Sequence, residues 1–182
     1  MILALDQSLT STGYVVGKKG KICSHGVIVT KAEKKKRNIG SMDDACRRTR
    51  LIISDIVDQI KYFDVKAIAC EEYAGFSQSK ASADALATSR TIVCAVSHMM
   101  NIPMFFMPIN DVKLALTRNK KASKNEMIES AYSRFPEVFE SYKSERSANG
   151  WEGKTEHVAD AIGVYLCARQ LPSIKMMENL IN

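Results

Sequence analysis

The chain has 182 residues, enough for one domain with a sizeable core and too few for two full ones. Hydrophobic residues make up 46% of it and charged residues 25%, which excludes a disordered or fibrous chain. Lys and Arg number 26 against 20 Asp and Glu, a net charge of +6, so a polyanionic partner is favoured, nucleic acid first. The five cysteines, Cys23, Cys46, Cys70, Cys94 and Cys167, are scattered, odd in number and without C-x-x-C spacing. Neither a disulfide framework nor a zinc site is expected, and a reduced, cytoplasmic protein fits. Met1 to Leu5 is apolar, but Asp6 ends the run, so no signal-peptide core is expected, and no stretch approaches the length of a membrane span.

Ile2 to Leu5 is followed by Asp6-Gln7-Ser8, and Gly13 to Val16 and Ile22 to Val29 are β-rich pieces around Gly17-Lys18-Lys19-Gly20. This predicts a three-stranded antiparallel start. Residues 31–40 form a basic, polar connection. From Ser41, apolar residues at Leu51, Ile52, Ile56, Val57 and Ile60 predict an amphipathic helix to about Tyr62. Val65 to Cys70 is a nearly continuous apolar run, the pattern of a strand buried on both faces, and it closes in Glu71-Glu72. Ser79 to Met100, alanine-rich, predicts a long and largely buried helix, and Ile102 to Met107 another strand. Asn110 or Asp111 is placed to cap a short helix through Leu116. Ser123 to Glu126 has capping-box spacing ahead of a helix reaching Phe135, which Pro136 ends. Residues 137–153 are polar and poorly periodic, which predicts a mobile loop. Thr155 then caps a last helix with Val158, Ala161, Ile162, Tyr165 and Leu166 on one face. This order suits a single α/β domain over 1–182, with one mixed central sheet flanked by helices.

Asp6 stands at the carboxyl end of the first strand and Glu71 at the end of the first strand after a helix, where open α/β sheets place their ligand sites. His157 and Asp160, three residues apart on the last helix, share one face. Hard carboxylate oxygens with one imidazole suit Mg²⁺ or Mn²⁺, and paired divalent ions are the usual machinery for hydrolysing phosphodiesters. His157 also lies in the first helical turn, where the dipole disfavours its protonation and keeps it available as a ligand. Taken singly, each residue has a plainer reading: Asp6 as a turn residue, Glu71 as a solvated strand end, Glu156 and His157 as partners of the helix dipole. Asp160, between Ala159 and Ala161 in an apolar helix, is costly to bury unpaired. The functional reading therefore rests on convergence.

Ile2 to Val16 (ILALDQSLTSTGYVV) is an apolar strand, an aspartate, then a Thr-Gly start to a second strand. Val65 to Tyr73 (VKAIACEEY) is a strand ending in glutamate, and Glu156 to Cys167 (EHVADAIGVYLC) is a helix with a histidine three residues before an aspartate. In this order and at this spacing they resemble the motifs of the RuvC-type Holliday junction resolvases, in the RNase H-like (integrase) superfamily. The resemblance spans nearly the whole chain. Bacterial members carry Pro-Gly where this chain has Gln7-Ser8, and its tail after Arg169 is its own, as in a phage or divergent member. The resemblance implies an RNase H-like fold with a mixed five-stranded sheet, and a homodimeric endonuclease that cuts opposed strands of four-way DNA junctions. It implies Asp6, Glu71, His157 and Asp160 as catalytic ligands of two Mg²⁺ ions, with Mn²⁺ also accepted. Lys124, after Ser123 and ahead of a helix, is implied as the basic residue near the scissile phosphate. The helix over 79–100 is implied as the dimer element, although its apolar face equally suits core.

Lys34, Lys35, Lys36 and Arg37 have only Glu33 against them, which reads as a DNA-contacting arm or as a solvated face. Arg118, Lys120 and Lys121 form a second basic cluster, and Lys80, within the helix over 79–100, is a further candidate for contact with DNA. Tyr73 and Phe76 follow Glu71 in a Gly-containing loop, where an aromatic ring either stacks on an unpaired base or anchors the loop. An actin-like ATPase would need two such domains. A broader branched-DNA or RNA–DNA hybrid nuclease of the same fold remains open, as does a non-cleaving junction binder, against which the four candidate ligands stand.

Overall fold

The computed structural model describes residues 1–33, 40–72, 80–147, 150–151 and 153–180. Strand β1 (Ile2–Asp6) is the centre of the molecule because Ile2, Leu3, Ala4 and Leu5 are apolar on both faces, and all four are wholly buried. It pairs antiparallel with β2 (Ser11–Lys18), with Asp6 opposite Gly13. β2 turns through Lys19 and Gly20, both at positive φ, into β3 (Lys21–Val29). On its other side β1 pairs parallel with β4 (Ala67–Glu72), from Ile2 opposite Ala67 to Leu5 opposite Cys70, and β4 pairs parallel with β5 (Met104–Pro108). The resulting five-stranded mixed sheet has the order β3-β2-β1-β4-β5, the α/β architecture expected.

The two faces are covered by different helices. α1 (Ser41–Tyr62) and α2 (Lys80–Met100) bring Ile52, Ile56, Ile60, Ile92, Val93 and Val96 against Leu3, Leu5 and Ile68. On the opposite face, α3 (Ile109–Thr117), α4 (Lys124–Arg134) and α6 (Thr155–Ala168) pack around Ile2, Ala4, Ala67 and Ala69. The capping box at Ser123 and Glu126 is present as its spacing predicts.

Several expectations need correction. α2 is not largely buried: Ser89, Ile92, Val93 and Val96 are, whereas Ala83, Ala87, Thr91, Cys94, Ala95 and His98 are exposed, because alanine is a helix former on any face. Leu51 of α1 is 46% exposed. α3 starts at Ile109 with Pro108 at its N-cap, and neither Asn110 nor Asp111 caps it. α6 is buried around nearly its whole circumference instead of along one stripe. Lys154 occupies its N-cap, and Thr155 is its first residue, with N–H and hydroxyl both donating to Glu145. Residues 137–153 are not a plain loop among the described residues. α5 (Pro136–Phe139) is followed by a 3-10 helix (Glu140–Glu145) and a short ladder of β6 (Arg146–Ser147) with β7 (Gly150–Trp151). Val138, Phe139 and Tyr142 anchor it in the core. The tail forms α7 (Pro172–Leu180), held by Glu178, which accepts from the Lys19 N–H at 2.7 Å and from Arg169 at 3.1 Å.

Candidate active site

Parallel pairing of β1 with β4 ends both strands at the same edge, so Asp6 and Glu71 emerge side by side. α6 runs past that edge on the other side, where Gly13 of β2 lets it approach. A Cβ at Gly13 would lie 2.1 Å from the His157 carbonyl oxygen, so the Thr-Gly of the first segment is a packing requirement of α6. The approach puts His157 Nδ1 2.8 Å from Asp6 Oδ2, an N–H donated to the carboxylate. Asp6, Glu71, His157 and Asp160 together line one cleft of about 510 Å³.

The electrostatics are those of crowded carboxylates. Burial, then the charges of Asp6 and Glu71, push Asp160 up to about 8. Burial, then Asp6, push Glu71 up to about 7. The hydrogen bond to Asp6 raises His157 above its ordinary value, which corrects the expectation that the helix dipole would keep it neutral. A carboxylate at 2.8 Å outweighs the partial charge of a helix end. Among the described residues, no group of three or more His, Cys, Asp or Glu side chains is arranged to hold a metal ion as the side chains stand.

Lys124 lies at the same cleft, 2.5 Å from Glu156 Oε1. That bond raises the Lys124 pKa, so the ammonium persists at any physiological pH. Lys113 also lines the cleft, and its ammonium donates to the Ala122 carbonyl at 2.8 Å. The sequence offered only a weak signal for Lys113, a lysine beside buried Val112 in a short helix. Gln7, buried in the turn after Asp6, carries no functional signal in the sequence, since a glutamine there reads as an ordinary turn residue. Lys80, Arg118, Lys120 and Lys121 are exposed, and Lys120 lies 4.0 Å from Asp111. Lys34, Lys35, Lys36, Arg37, Tyr73 and Phe76 lie outside the described residues.

No family model matches the chain. The chain is 27% identical over 169 residues to the crossover junction endodeoxyribonuclease RuvC of Ehrlichia chaffeensis, covering 91% of this chain and 94% of that protein. Its fold is similar to T. thermophilus RuvC, solved in complex with a Holliday junction substrate, at a TM-score of 0.68 and 18% identity over 96% of this chain and 95% of that one. It is also similar to the yeast mitochondrial Holliday junction resolvase Ydc2, at a TM-score of 0.62 and 13% identity over 98% and 82% of the two chains.

Proposed function

We propose that the chain is a RuvC-type endonuclease that resolves four-way DNA junctions by symmetric phosphodiester hydrolysis, a reading supported by its likeness to a RuvC over 91% of its length and by its five-stranded mixed sheet. The observation that carries this reading is the convergence of Asp6, Glu71, His157 and Asp160 on one cleft at the carboxyl ends of β1 and β4. The donor set fits divalent cations: hard oxygens with one imidazole, and two carboxyls whose ionisation is opposed by burial and by their neighbours' charge, an opposition that a cation removes. When bound, two Mg²⁺ or Mn²⁺ ions would polarise the phosphodiester and favour ionisation of the attacking water. Asp6, Glu71, His157 and Asp160 would hold them. Lys124 leaves Glu156 to stand against the charge that develops on the phosphate. Lys80, Arg118, Lys120 and Lys121 offer phosphate contacts.

Cutting two opposed strands needs two sites related as the strands are, which a two-fold homodimer supplies. The exposed face of α2, with Ala83, Ala87, Thr91 and Ala95, is where two copies would meet. The test of the function is cleavage of a labelled four-way junction beside duplex, flap and RNA–DNA hybrid, with Mg²⁺ or Mn²⁺ and with Asp6→Asn as the control protein. Junction-selective cutting that disappears in Asp6→Asn is the expected result. Equal cutting of every branched form would make the chain a general branched-DNA nuclease, and binding without cutting would make it a junction-binding module.

A further inference from the structure

Gln7 is 7% exposed, in the turn directly after Asp6, and its side-chain amide donates from Nε2 to the main-chain carbonyl of Glu71 at 2.7 Å. The main-chain ladder between β1 and β4 ends one residue earlier, at Leu5 and Cys70. The amide therefore adds a rung beyond the last backbone rung, at the residue that carries the second carboxylate. That is the place where a rung counts, because the separation of Asp6 and Glu71 at these adjacent strand ends is set by how far along the two backbones stay joined. The amide's orientation is fixed by chemistry. A carbonyl accepts only from a donor, so the NH₂ faces Glu71, and Oε1 is left buried without a partner among the described residues.

A buried amide with one end unsatisfied is a cost that an apolar side chain of the same size would avoid. Packing alone does not explain it. The turn that carries Gln7 is itself pinned from outside. Arg48 donates to the Leu9 carbonyl at 2.9 Å and to Thr30 Oγ1 at 3.1 Å, and Thr12 donates to the Ser8 carbonyl at 2.5 Å. These bonds hold Ser8 and Leu9 and do not touch the Gln7 amide, so the bond from Gln7 to Glu71, a strap across the two strand ends, is separable from them.

We propose that Gln7 is a positioning residue that holds Glu71 at a set distance from Asp6, so that both carboxylates can serve one divalent cation. The inference rests on the metal-dependent reading of the site. It acts through the Glu71 main chain and requires no contact between Gln7 and the DNA.

The experiment compares the full-length protein with Gln7→Met, which keeps length and burial but has no donor, and with Arg48→Met, which loosens the same turn and leaves the strap intact. Mn²⁺ affinity is measured by calorimetry without DNA, junction affinity without metal, and kcat on a four-way junction. For Gln7→Met, Mn²⁺ affinity and kcat should each fall about tenfold to a hundredfold, the range seen when a partner of a metal ligand is removed. Junction affinity should stay within about twofold, since the phosphate contacts that set it are untouched. Arg48→Met should lower the melting temperature with kcat and Mn²⁺ affinity retained. Unchanged Mn²⁺ affinity in Gln7→Met, or equal losses in both variants, would overturn the proposal. Failure of the wild-type protein to cut any junction would instead refute the nuclease reading, while the Mn²⁺ comparison would still decide the strap.

Discussion

Asp160 and Glu71 are carboxyls held partly protonated near neutrality, and both shifts have one sign. Their folded pKa values, about 8 and about 7, lie above the ordinary carboxyl range. Their contribution to stability is therefore full at acid pH and lost as pH rises through those values. The His157–Asp6 bond runs the same way, since His157 is raised in the folded protein and the attraction fades as the ring loses its proton. The metal-free protein should thus melt at lower temperature at about pH 9 than at about pH 6, and Asp160→Asn should flatten that dependence by several degrees, at roughly 2–4 °C per kcal/mol for this size. The same variant should lose cleavage. Because a cation binds the ionised carboxylates, Mn²⁺ affinity should rise between about pH 6 and about pH 8, with protons released on binding. Affinity that falls over that range would contradict these assignments. Lys124→Met should lower kcat by about a hundredfold or more, the usual effect of losing one group aimed at developing charge, while junction affinity changes little, because a single phosphate contact is removed.

At the scale of elements, the site depends on how closely α6 approaches the sheet. Gly13→Ala would place a Cβ against the His157 carbonyl and β-carbon, so the helix must shift. The expected cost is about 1–3 kcal/mol, with metal affinity reduced as His157 moves from Asp6, to be measured by denaturant unfolding and Mn²⁺ calorimetry. In the tail, Glu178→Gln removes a buried charge-assisted acceptor from the Lys19 N–H and Arg169, and should cost roughly 1–3 kcal/mol without changing kcat of the folded protein. The elements around the site were largely legible in the sequence. The strands and the major helices followed from apolar period, and Asp6, Glu71, His157 and Asp160 from their places at strand ends and on one helix face. Three things were not. Alanine, equally at home on a buried or an exposed helix face, disguised the open face of α2. Val138, Phe139 and Tyr142 bury a segment whose polar composition reads as loop, because short irregular elements have no period. The protonation of His157 depends on Asp6, which lies 151 residues away, so a local dipole argument gave the wrong sign.

At the scale of the molecule, one sheet does two jobs. Its carboxyl edge gathers the acidic cleft, and one face of it carries α2, packed by Ile92, Val93 and Val96, whose exposed side is the face proposed for a second copy. A dimer should be seen by sedimentation, and Ala87→Arg, which puts a charge on the exposed side of α2, should give a monomer that binds junctions more weakly. The most direct test of the whole account is cleavage of a supercoiled plasmid carrying an extruded cruciform, followed in Mg²⁺ within the lifetime of one protein–DNA complex. Two coordinated, opposed cuts convert the plasmid to a linear form, and this is the expected product, absent with Asp6→Asn. Accumulation of nicked circle alone, or equal cutting of a plasmid without a cruciform, would contradict the claim that the four converging side chains serve a junction resolvase.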